Sequence, residues 1–171
     1  QERLHLVKGG APVAMHAEWR DAETALRATK RLVRLARETG RRVHTLHIST
    51  AEEMEFLEDN RDIATVEVLP QHLTLSAPEA YERLGTLAQQ NPPIRAARHR
   101  EALWKAVRDG IVDCIGSDHA PHTLEEKQRP YPQSPSGMTG VQTLVPIMLD
   151  HVNAGRLTLQ RFIDLTSAGP A

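Results

Sequence analysis

The stretch IVDCIGSDHAPHTLEEK, residues 111–127, runs from an apolar, strand-like segment straight into an aspartate and two histidines, then a proline and a charged loop. Two explanations compete. Either Asp118 and a histidine stand at the mouth of a site, or a strand simply ends and polar residues face water. The rest of the chain discriminates, because a site needs other elements that end in the same way.

Working back from that stretch, residues 98–108 place Ala102, Leu103, Ala106 and Val107 at helical spacing, and Asp109-Gly110 breaks the pattern. Before the NPPIR loop, ATVEVLP (residues 64–70) reads as a strand stopped by its proline, and VHTLHIS (residues 43–49) as another. AEEMEFLED forms a helix between them, with Ser49 or Thr50 as its cap and early glutamates on the positive end of the helix dipole. Residues 21–38 are a further amphipathic helix stopped by Gly40, and PVAMHAE (residues 12–18) is expected to be a buried strand. Forward from residue 119, a Pro-rich loop to Gly140 leads to helices over residues 141–153 and 158–165, the second capped by Thr158. Strands alternating with helices predict a parallel α/β structure, read as one unit over residues 1–171. Periodicity alone leaves a layered flavodoxin-like sheet and a (β/α)₈ barrel both open.

In parallel α/β folds the working residues gather at the C-terminal ends of strands. Here His16 ends the first expected strand, His47 the second and Asp118 the fourth, while His72 lies just past the third. A core has no use for such groups, since apolar side chains fill it at lower cost. Two histidines and an aspartate can bind a divalent transition ion such as zinc, which makes hydroxide available near neutral pH. Duller roles are assigned to the others. Strand alternation sets Val43, Thr45 and His47 on one face and His44 on the other, so His44 is structural. Cys114 is a small core residue, His72 bonds loop carbonyls, and His5 and His151 are packing or surface residues.

Bulk properties are those of an ordinary soluble globular protein. A net charge of −1 over 171 residues gives no basic field for nucleic acid or an anionic membrane. A single cysteine rules out an internal disulfide and fits a reducing compartment. No apolar run reaches the roughly 20 residues that span a bilayer, and QERLHLVKGG lacks a signal-peptide core, so a cytoplasmic location is expected.

SDHAPHTLEEK followed by SPSGMTGVQTLVP resembles the dihydroorotases of the cyclic amidohydrolase group, as do MHAE, VHTLHIST, LPQHL and QNPPIR, in the family's order. The resemblance implies the C-terminal part of a metal-dependent (β/α)₈ TIM barrel, about strands 5 to 8, whose reaction interconverts dihydroorotate and N-carbamoyl-L-aspartate in pyrimidine biosynthesis. It implies that His16 and His47 bind one metal ion, and that Asp118 binds metal and acts as general base, then acid. Asn91 would contact substrate, His122 would hold its carboxylate, and Ser136 and Gly137 would touch the pyrimidine ring. Zinc, as one or two ions, is the implied cofactor. A homo-oligomer or an association with aspartate transcarbamoylase is the implied assembly, with neither nucleic acid nor membrane as partner.

The chain departs from the family in several places. The first-strand His-x-His pair with its carboxylate-gripping arginine is missing, as is the segment bearing a bridging lysine or aspartate. The chain is therefore expected to be an incomplete piece, inactive alone. The loop between MHAE and WRDAE is short, and the usual His-His pair reads Gln71-His72. Rival readings are another cyclic amidohydrolase (hydantoinase, dihydropyrimidinase or allantoinase) and a non-catalytic dihydroorotase-like subunit.

Overall fold

The computed structural model describes Val7 and residues 10–171; His5 lies outside the described residues. Its centre is a three-stranded sheet, β1 (Val43–Thr45), β2 (Ala64–Val68) and β3 (Cys114–Ile115), in the order β1-β2-β3. Both pairings are parallel, with Val43 opposite Ala64 and Glu67 opposite Cys114. Each crossover carries helices: α2 (Ala22–Thr39) precedes β1, α3 (Ala51–Glu58) links β1 to β2, and α4 (Pro70–Thr74), α5 (Glu79–Leu84) and α6 (Ala97–Arg108) link β2 to β3. The described chain closes with α7 (Leu124–Lys127), α8 (Leu144–Asn153) and α9 (Leu159–Ile163).

Local chemistry explains the boundaries. Asp21 accepts the Thr24 N–H at 2.9 Å to open α2, and Gly40 ends it in a left-handed conformation, φ 63°. Of the two candidate caps for α3, Thr50 does the work, its hydroxyl accepting the Glu53 N–H at 3.2 Å. Thr158 caps α9 as expected. Pro70, read as the end of a strand, instead opens α4, where its missing N–H is no loss.

One expected strand is not there. Residues 12–18 include a short helix, α1 (Met15–Trp19). Val13 is the one β-branched residue of PVAMHAE, against two alanines, a methionine and a glutamate, and a helix bonds its own backbone without a ladder partner. The other strands are shorter than their apolar runs. Beyond Thr45, pairing persists only through the Ile48 N–H to the Glu67 carbonyl at 2.8 Å.

β2 alternates strictly. Ala64, Val66 and Val68 are fully buried, whereas Thr65 and Glu67 are only partly buried. The buried face packs on Leu57, Leu103, Val107, Met148 and Leu165 from the surrounding helices. Each such aliphatic side chain contributes about 1.5–3 kcal/mol through burial. The opposite face presents His44, Thr65 and Glu67, with Leu46 beyond them 56% exposed. Among the described residues no helix is long and apolar enough to cross a membrane.

Candidate active site

His47 and Asp118 are the two non-glycine residues with positive φ among those described, at 41° and 42°. Left-handed backbone costs a residue with a Cβ about 1–3 kcal/mol and persists only where the surroundings impose it. Here it occurs just past the ends of β1 and β3 and redirects the side chain in each case. The regular alternation that would have put His47 on the face of Val43 and Thr45 is therefore broken at His47 itself. Its N–H is taken by Glu67 Oε1 at 3.0 Å. Among the described residues, no hydrogen bond or ion pair engages the His47 imidazole or the Asp118 carboxylate, which leaves their lone pairs free.

A cavity of about 270 Å³ opens beside His47, bordered by Asn91, Pro92 and two guanidinium groups, those of Arg20 and Arg95. Arg95 is buried, and its donors are held by the Arg20 and Ala17 carbonyls and the Ser49 hydroxyl. Burial lowers its pKa from the ordinary value, yet an arginine stays charged. Asp21 borders the same cavity, so its rim carries two cations and one carboxylate.

His16 has a different setting from the one expected. It is buried on α1, with Nε2 3.0 Å from both the Gln90 carbonyl and Asn91 Oδ1, and Nδ1 3.4 Å from the Tyr131 hydroxyl. A ring nitrogen facing two acceptors carries the proton, so Nε2 offers no lone pair in this arrangement. Burial holds the imidazole pKa low, which keeps the ring neutral. The structure thus joins His16 to Asn91, and metal ligation would require that link to break.

His122 and Gly137 line a second hollow of about 350 Å³ together with Lys127, and Ser136 precedes Gly137 in the same loop. His122 Nδ1 lies 3.8 Å from the Glu126 carboxylate. Ser136 Oγ accepts from Gln89 Nε2 at 3.1 Å, and the Gly137 N–H donates to the Gln89 carbonyl at 2.9 Å. Gly137 has φ 154°, and a Cβ there would sit 2.5 Å from the Ala120 carbonyl oxygen, so glycine is required. Beneath the loop, the buried Lys127 ammonium donates to the carbonyls of Gln89, Pro135 and Gly137 at 2.8, 3.0 and 3.0 Å.

Among the described residues the one group of three metal-capable side chains is His44, Glu67 and Cys114, with ligand atoms within 4.8 Å of one another. His44 Nδ1 bonds Thr65 Oγ1 at 2.7 Å, and Nε2 lies 3.6 Å from Cys114 Sγ. Burial pushes the Cys114 thiol up to about 11, so it stands as S–H against the imidazole. His72 is buried against the Pro92 carbonyl at 3.1 Å, and His151 packs edge-on to Trp104 with centroids 4.8 Å apart.

Glu67, Gln89, Arg95 and Lys127 were not singled out in the sequence. Glu67 had a visible signal, a carboxylate among β-branched residues in ATVEV. Lys127 had none, since LEEK reads as a charged surface segment.

No protein-family model matches the chain. A dihydroorotase of Halobacterium salinarum is 38% identical over 153 residues, covering 90% of this chain and 36% of that protein. A dihydroorotase of Methanosarcina mazei is 35% identical over 179 aligned positions, covering 99% and 39%. The chain thus spans little more than a third of these relatives. Among solved structures, the L-hydantoinase (dihydropyrimidinase) of Arthrobacter aurescens superposes with a TM-score of 0.91 at 28% identity, over 99% of this chain and 39% of that one. The dihydroorotase of Saccharomyces cerevisiae in complex with 5-fluoroorotic acid gives a TM-score of 0.73 over 86% and 42%, and at 19% identity it attests the fold alone. The solved structures the chain resembles are cyclic amidohydrolases with TIM-barrel folds. Its curated sequence relatives at 35–38% identity are dihydroorotases.

Proposed function

We propose that the protein carrying this chain is a dihydroorotase, and that the chain supplies the C-terminal part of its metal-dependent barrel. The observation that carries the reading is identity of 35–38% to dihydroorotases across 90–99% of the chain. Arg20 and Arg95 on the cavity beside His47 and Asn91 support it, since they outnumber the one acid there, Asp21, and dihydroorotate bears a carboxylate that a plain hydantoin ring lacks.

The donor set suits zinc at His47 and Asp118, whose side chains make no hydrogen bond or ion pair among the described residues; His16 would join them only by leaving Gln90 and Asn91. A zinc ion bound there supplies Lewis acidity toward the ring amide and acidifies water. The chain's own residues do the rest. Asp118 takes the proton of the attacking water as the carbon–oxygen bond forms, then delivers it to the ring nitrogen as the carbon–nitrogen bond breaks. Asn91 and Arg20 would orient the substrate, His122 would help hold its carboxylate, and the Ser136–Gly137 loop would touch the ring.

The likeness to an L-hydantoinase favours a second reading, hydrolysis of a five-membered cyclic amide. Turnover of dihydroorotate, hydantoin and allantoin by the whole enzyme separates the two. Dihydroorotate is expected to be the preferred substrate; preferential hydantoin hydrolysis would overturn the proposal.

A further inference from the structure

We propose that Glu67 is a positioning residue that sets the aim of both His47 and Asp118, an inference that rests on the amidohydrolase reading above. Glu67 lies on β2, the middle strand, on the sheet face away from the helical core. Toward β1, its Oε1 accepts the His47 N–H at 3.0 Å, and its other oxygen is 3.7 Å from His44 Nε2. Toward β3, its carboxylate fills the space that a side chain would occupy at Gly116: a Cβ there would lie 2.5 Å from the carboxylate carbon and 2.6 and 2.8 Å from the two oxygens. Gly116 stands two residues before Asp118. One carboxylate is therefore wedged between the two segments that carry the left-handed residues.

The chemistry explains why an acid is needed there. At φ 41° the His47 N–H leaves the line of the strand ladder, while the neighbouring Ile48 N–H still finds the Glu67 carbonyl at 2.8 Å. A side chain that accepts hydrogen bonds can reach the diverted N–H, and an ionised acceptor holds it more strongly than a neutral one. The absence of a side chain at Gly116 lets the same carboxylate lie flat against β3. Its role is to hold the groups that bind metal, as outer partners do in metal sites generally.

The test uses the whole enzyme and two variants that disturb the wedge from opposite sides, Glu67→Gln and Gly116→Ala. Thr65→Val serves as a control, because it removes the His44 contact on the same sheet face and leaves Glu67 alone. Zinc affinity of the metal-stripped protein, kcat and KM for dihydroorotate, and thermal midpoint are measured for each. Both wedge variants are expected to weaken zinc binding and lower kcat by about tenfold or more, with KM within about twofold of wild type and the control unchanged. Wild-type zinc affinity and kcat in both folded variants would overturn the proposal. So would loss of one whole zinc equivalent in Glu67→Gln and His44→Ala alike, which would make Glu67 a ligand. If wild type fails to turn over dihydroorotate, the functional reading fails, and the zinc affinities still judge Glu67.

Discussion

Acidification from pH 7 to pH 4.5 puts the burial of His72 to a quantitative test. The ring is 3% exposed, with Nε2 between the Pro92 carbonyl at 3.1 Å and the Gln90 amide nitrogen at 3.0 Å. Its Nδ1 is buried with no partner, so a second ring proton would have no acceptor. Burial accordingly lowers the pKa to about 4. In the unfolded chain the same ring titrates near 6.5. Between those values the unfolded state binds a proton that the folded state refuses, so stability is fully present above about pH 6.5 and falls as pH drops toward 4. At about 1.4 kcal/mol per pKa unit, the gap corresponds to about 3 kcal/mol lost by pH 4. His99 contributes with the same sign: its pKa is also about 4, chiefly through burial, and protonation would break its Nδ1 bond from the Ala51 N–H. Urea unfolding of wild type and His72→Leu at half-unit pH steps measures the effect, and the variant is expected to lose part of the acid slope. An NMR titration of the His72 ring near 6.5, or equal slopes for the two proteins, would refute the reasoning.

Two further outcomes follow from packing and charge. Leu103, 1% exposed in the main core, is expected to cost about 2–5 kcal/mol on truncation to alanine, read as a lower unfolding midpoint. Lys127→Met strips a buried ammonium from three carbonyls and is expected to cost about 1–3 kcal/mol through acceptors left unpaired. Because those carbonyls anchor the loop of Ser136 and Gly137, KM for dihydroorotate should rise in that variant as well; an unchanged KM would detach the loop from substrate binding.

Much of the architecture was readable from residues whose local chemistry is self-contained. Asp21 and Gly40 bracket α2, Thr50 and Thr158 open α3 and α9, and the strands at residues 43, 64 and 114 pair in parallel as their alternation with helices required. The capping box at α7, Thr123 with Glu126, was equally visible as TLEE but lay inside a segment read as loop. What escaped the sequence depended on distant partners. His16 was placed at a strand end because an apolar run preceded it, yet α1 turns the ring toward Gln90 and Asn91, 74 and 75 residues away. His47 and Asp118 stood out in the sequence because each follows a strand whose type was evident, whereas Asn91 came only from the family resemblance. Arg95 and Glu67 did not stand out, because burial of a charge is decided by what folds over it. The left-handed turn at His47 is a tertiary effect too, imposed from β2.

The most direct test is the turnover of dihydroorotate by the whole enzyme with Asp118 changed to asparagine, a near-isosteric substitution that removes the proton acceptor. The account expects kcat to fall by about 10²–10⁴-fold with the thermal midpoint preserved. A rate near that of wild type would show that Asp118 moves no proton, and the assigned chemistry would be wrong.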